Sequence, residues 1–139
     1  MAGDWPSSSG SSDPYGSSGE SSTTYKVNLE YKLEGTTTQG WTRYTGQTIT
    51  LANVNDKMYM RAMAGGNTTI STESYKYKFT MVGAIAASGN IQYLLDPAGE
   101  RTDVPAYCYT SMFKGCTALT SAPDLPATTL ADWCYAYMF

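Results

Sequence analysis

Residues 108–113 read CYTSMF and residues 134–139 read CYAYMF, so one phrase returns after 26 residues. In the same alignment Val104 matches Leu130, Cys108 matches Cys134, Tyr109 matches Tyr135, Met112 matches Met138 and Phe113 matches Phe139. Cys108, Met112 and Phe113 fall at i, i+4 and i+5. That spacing predicts a short helix through PAYCYTSMF, and another through TLADWCYAYMF, with Gly115 able to end the first. The intervening ALTSAPDLP carries Leu119, Pro123 and Pro126 and predicts an extended edge. One helix and one extended segment in 26 residues make a unit of solenoid size. Val104, Cys108, Met112, Phe113, Leu130, Cys134, Met138 and Phe139 are its expected repeat core. A unit of this kind cannot bury its own apolar face and needs stacked neighbours. Residues 96–139 hold one unit and the start of a second, truncated after Tyr137-Met138-Phe139, so further units are expected to follow.

Upstream, residues 24–95 read as a β-rich module. Tyr25, Val27, Leu29, Tyr31 and Leu33 alternate with Lys26, Asn28, Glu30 and Lys32, which describes a strand with one buried and one wet face. The turn EGTTTQG, the strands WTRYT and TITLA, the turn NVND and the strand KMYMRAM follow. After the tight-turn signal AGGN come TTIST and a second alternation in SYKYKFTMV, where Tyr75, Tyr77, Phe79 and Met81 share a face. GAIAA and NIQYLL read as shorter strands. Six to eight short strands at roughly ten-residue intervals predict a small β-sandwich-like or barrel-like module. The fold class expected for the whole chain is mostly β, with this module leading into the start of an α/β repeat solenoid.

Residues 1–23 are dominated by Ser and Gly and cannot bury enough apolar surface to offset their ordering entropy. They are expected to be an extended arm that orders on a partner, with Trp5, Pro6 and Tyr15 as its anchors. This N-terminus has no basic start, apolar run or lipid-attachment cysteine, so it does not read as an export signal. No stretch reaches the roughly 20 apolar residues of a membrane span.

Composition narrows the chemistry. The chain has no His, which removes the commonest general base and the commonest metal ligand. A net charge of −3 gives no electrostatic footprint for nucleic acid or an anionic membrane. Cys108, Cys116 and Cys134 match neither a CxxC zinc pattern nor a paired framework; they read as reduced, buried packing residues, with a disulfide or intermolecular bridge as the alternative. The carboxylates form no spaced acid pair, and no Gly-rich phosphate loop is present. The expectation is a protein that is not an enzyme and carries no cofactor or metal. Tyr25, Tyr31, Tyr75 and Tyr77, alternating with Lys, read as packing residues or as a surface on which carbohydrate can stack.

The stretch CYTSMFKGCTALTSAPDLPATTLADWCYAYMF resembles the BspA-type leucine-rich repeats, and KMYMRAMAGGNTT with KFTMVGAIAASGNIQYLLD resembles the β-rich segment that often precedes them. The resemblance covers roughly residues 41–139 and is specific in the repeat. It implies a surface protein of gut Bacteroidales or of the phages that infect them. Bacterial members are adhesins with an export signal, which this chain departs from. The departure favours a virion protein assembled in the host cytoplasm, the anchoring part of a head or tail fibre. Residues 1–23 would meet a capsid or tail protein, the assembly would be a homo-oligomer, and distal repeats would meet a surface glycan. The alternative is an adhesin on the bacterial cell surface that binds host protein or glycan.

Overall fold

The period-two pattern at residues 27–33 becomes the central strand of a three-stranded sheet. In the computed structural model, which describes residues 27–35 and 40–139, strand β1 (Leu29–Glu34) pairs antiparallel with β2 (Thr42–Tyr44) on one side and β3 (Lys57–Ala62) on the other. Leu29 stands opposite Tyr44 and Ala62, and Tyr31 stands opposite Met60. Because side chains alternate along a strand, this register sends Leu29, Tyr31, Tyr44, Met58, Met60 and Ala62 to one face, where all are buried. Glu30, Lys32, Glu34, Arg43, Tyr59 and Arg61 line the other.

Under the buried face lies a single 3₁₀ turn, Ile91–Leu94, where the sequence suggests a strand. Asn90 sets the turn: its Oδ1 accepts the Gln92 N–H at 2.8 Å, and Ile91, Gln92 and Leu94 all turn inward. Asn67 ties this turn to β1. Its side chain accepts the Asn28 N–H at 2.7 Å and donates to Asn28 O and Leu94 O, while its own N–H reaches Leu95 O at 2.8 Å. Gly66, at φ +69, makes the approach possible, since a Cβ there would lie 2.5 Å from Leu95 O.

The sandwich-like module expected over residues 24–95 is a smaller construction. Among the described residues it holds four strands, β1–β3 and the two-residue β4 (Ile85–Ala86), and β4 belongs to a different sheet. The chain is nonetheless mostly β. TITLA and TTIST form no ladder. SYKYKFTMV does mark a buried side, with Tyr77 and Phe79 each 1% exposed. This region bonds turn residues rather than a strand: Phe79 N–H donates to Met112 O at 2.8 Å, and Ser71 N–H to Cys108 O at 2.9 Å.

Those bonds begin a series of parallel layers. Strand β4 pairs in parallel with β6 (Leu119–Ser121), and β5 (Asp103–Val104) pairs in parallel with β7 (Thr129–Leu130). Ile91 N–H to Asp124 O at 3.1 Å and Asp124 N–H to Gly89 O at 2.9 Å extend the first pairing. Residues 70–91, 104–124 and 129–139 therefore lie on one another in sequence order. Part of what reads as upstream module is the layer on which the first repeated unit rests.

Candidate functional site

The repeated phrase does not form the helices its spacing predicts; among the described residues there is no α-helix. From Pro105 to Cys116 the backbone runs through overlapping turns. The N–H groups of Cys108, Thr110, Met112, Lys114 and Cys116 each return to the carbonyl three residues back, at 3.0–3.2 Å. Tyr107 and Ser111 sit at φ +61, and Gly115 at +87, in the third position of alternate turns, as a type II turn requires. The odd residues thereby aim their N–H groups out of the ribbon. Tyr107 donates to Asp132 O, Tyr109 to Cys134 O at 2.8 Å, Ser111 to Ala136 O and Phe113 to Met138 O at 2.7 Å. An α-helix would use every one of those donors internally and leave nothing to join the layers. Left-handed backbone at bulky residues costs about 1–2 kcal/mol each. The second unit repeats it at Trp133 (φ +61) and Tyr137 (φ +52), where the layer bonds and ring stacks compensate.

Side chains continue the columns that the backbone sets up. Phe79, Phe113 and Phe139, all the phenylalanines of the chain, form one column, with centroids 6.0 Å and then 5.6 Å apart. Tyr109 stacks on Tyr135 at 5.8 Å and Tyr107 on Trp133 at 6.3 Å, both with nearly parallel rings. Lys76 lies over the Tyr107 ring and Lys114 over the Tyr137 ring. Of the residues assigned to the repeat core, Val104, Cys108, Met112, Phe113, Cys134 and Met138 are buried. Leu130 and Phe139 are more than half exposed and, with Trp133 and Tyr137, form the uncovered face of the layer at residues 129–139. The N–H groups of Trp133, Tyr135, Tyr137 and Phe139 have no backbone acceptor among the described residues, whereas their counterparts one unit earlier all do. Trp5, Pro6 and Tyr15 lie outside the described residues.

Polar anchors join the layers to the sheet. Gln92, fully buried, donates to Arg101 O and Asp103 O, and its Oε1 accepts the Tyr109 hydroxyl at 3.1 Å. Arg101 grips both oxygens of Asp103 at 2.8 Å and also donates to Asn67 O and Thr68 O. The fork holds the Asp103 carboxyl below its ordinary range and raises the guanidinium of Arg101. Sequence reasoning passed over Gln92 and Arg101, because neither belongs to the repeated phrase.

The cysteines are free and buried. Burial pushes the Cys108 thiol up to about 11 and raises Cys116 and Cys134 as well, the opposite of what a nucleophile or metal ligand needs. Cys108 receives the Ile70 N–H and Cys116 meets Phe79 O, both contacts between layers. Among the described residues no cluster of acidic and sulfur side chains is placed to hold a metal. A hollow of about 640 Å³ between residues 51–57 and 82–88 is open, with Asp56 and Lys57 as its charged lining groups. No helix among the described residues is long and apolar enough to cross a membrane. Set against protein-family models, curated proteins and solved structures, the chain matches none.

The two stacked tyrosines separate packing from hydrogen bonding. Tyr109 hydroxyl has Gln92 and Ile91 O as partners, whereas the Tyr135 hydroxyl is buried without one. Tyr135→Phe is therefore expected to leave stability unchanged or raise it by up to about 1 kcal/mol, and Tyr109→Phe to lower it by about 1–2 kcal/mol. Urea denaturation of the two variants checks the opposite signs.

Proposed function

We propose that the chain is a non-enzymatic virion structural protein, the anchoring part of a head or tail fibre with BspA-like leucine-rich repeats. Residues 1–23 attach it to a capsid or tail protein, the sheet seats the first layer, and the repeats build a solenoid that projects a surface for adhesion. The observation that carries this reading is the directional stack. Along the turn ribbon each layer gives N–H groups to carbonyls of the next, the strand edges bond in both directions, and the aromatic rings lie on the same columns. A ladder of that kind makes a stiff rod from copies of one phrase, which suits a projecting element better than a catalytic cleft. Homo-oligomerisation would multiply weak contacts at the far end. The second reading, a bacterial surface adhesin, draws on the half-buried Trp41 and Tyr59 beside the exposed Tyr93.

Antibodies against the chain, applied to purified phage particles and to uninfected bacteria, separate the two. Particle labelling is expected, as is loss of particle association when residues 1–23 are deleted. Labelling confined to the surface of uninfected cells overturns the fibre reading.

A further inference from the structure

A cleft that the stacked layers do not use opens among β1, β3, Trp41 and the 3₁₀ turn. It measures about 190 Å³ and is lined by Lys32, Trp41, Tyr59, Met60, Arg61 and Tyr93. Most of its walls are fixed before any ligand arrives. The Arg61 guanidinium lies 3.8 Å over the Trp41 ring while its Nε holds Glu30 at 2.8 Å. Tyr93 is 41% exposed, yet its ring is backed by Gly99: a Cβ there would meet three ring atoms at 2.8–2.9 Å. Gly99 is held in turn by Asn90, whose amide donates to its carbonyl at 3.0 Å.

Charge decides the class of ligand. Arg61 is neutralised by Glu30, but Lys32 has no carboxylate partner among the described residues. Its ammonium sits 5.4 Å from both the Trp41 and Tyr59 ring centres. The surrounding sheet face offers Lys32, Arg43, Lys57 and Arg61 against Glu30 and Glu34, a local positive excess on a chain of net charge −3. A cationic ligand meets two cations already lying on the rings, and an apolar one leaves Lys32 unused. A sugar ring suits such walls, because its C–H face is apolar and slightly positive and rests on the negative face of an aromatic ring. The volume is below the roughly 300 Å³ of a pocket that encloses a whole small molecule, which fits one ring of a longer chain.

We propose that this cleft binds one ring of an acidic saccharide, with the sugar's C–H face on Tyr93, over which no cation lies among the described residues, and its carboxylate or sulfate on Lys32 beside Trp41 and Tyr59. The site is independent of where the protein is assembled, so its failure would leave the fibre reading untouched.

The test titrates the full chain with tri-galacturonate as the carboxylate probe and a heparin-derived tetrasaccharide as the sulfate probe. Maltotriose and citrate separate sugar from charge, and the readout is the Trp41 indole resonance. A saturable shift is expected with at least one acidic probe, about tenfold tighter than with maltotriose and absent with citrate. Tyr93→Ala and Trp41→Ala should each weaken binding about tenfold or more. Lys32→Gln should erase the preference for acidic over neutral sugar, and Lys32→Arg should keep it. Gly99→Ala, which displaces Tyr93 without entering the cleft, should also weaken binding. The proposal is overturned if neither acidic probe shifts the indole, if citrate or maltotriose matches them, or if folded Lys32→Gln protein binds unchanged.

Discussion

Replacing Phe113 by alanine is expected to lower folding stability by about 3–5 kcal/mol, whereas replacing Phe139 should lower it by about 1 kcal/mol or less. The two residues hold the same place in the repeated phrase, so chemistry and local sequence are matched and only the layer differs. Phe113 is 1% exposed and lies between Phe79 and Phe139. Its removal opens a cavity between two layers and strips one face from both neighbours. Phe139 is 59% exposed and loses one ring contact. A domain of this size has only about 5–15 kcal/mol in total, so Phe113→Ala should bring the urea midpoint down sharply while Phe139→Ala barely moves it. Equal losses would mean that the layers do not stack as described. Phe79→Ala belongs with Phe113→Ala, and a double replacement should cost less than the two singles combined, since the rings share a contact.

How much of this was legible in the sequence varies by element. The alternation at residues 27–33 gave β1 and its buried face, because a period of two has one structural meaning when one side is greasy. The recurrence of the phrase matched Val104 with Leu130, which pair, and Tyr109 with Tyr135 and Phe113 with Phe139, which stack. The helix expected at PAYCYTSMF failed for a definable reason. Overlapping turns of alternating kind repeat every four residues, so inward positions come as Cys108 and Tyr109, then Met112 and Phe113. Over ten residues that pattern cannot be told from a helical period of 3.6. Only the left-handed backbone at Tyr107 and Ser111 separates them, and nothing in those side chains announces it. SYKYKFTMV shows the converse error. Its alternation located Tyr77 and Phe79 in the core but carried no sign that Phe79 would bond Met112 rather than a strand. The cleft at Trp41, Tyr59 and Tyr93 was invisible because its walls come from two strands, the residue before β2 and a 3₁₀ turn, and the residue that fixes Tyr93 is Gly99.

Alkaline pH is expected to weaken the fold through the same packed layer. Cys108 and Tyr109 are protonated acids whose burial raises them in the folded state, Cys108 to about 11, and Tyr135 is pushed up to about 12 by burial. In the unfolded chain a thiol releases its proton near 9.0 and a phenol near 10.0. Between those values and the folded ones the native state holds more protons than the unfolded state, so stability falls as pH rises. Each such group contributes a slope of about 1.4 kcal/mol per pH unit. Cys108 alone should therefore remove about 2 kcal/mol between pH 9 and 11. Urea denaturation at pH 7, 9 and 10 should show a steepening loss, and Cys108→Ala should flatten it by the share of that one thiol whatever its cost at pH 7. Ellman's reagent gives the kinetic counterpart: native thiols at pH 8 should react slowly, and all three should react at once in denaturant. An unchanged slope in Cys108→Ala would show that the thiol ionises as freely in the folded protein as in water, and a position that does so cannot be the sealed centre between layers that its contact with Ile70 describes.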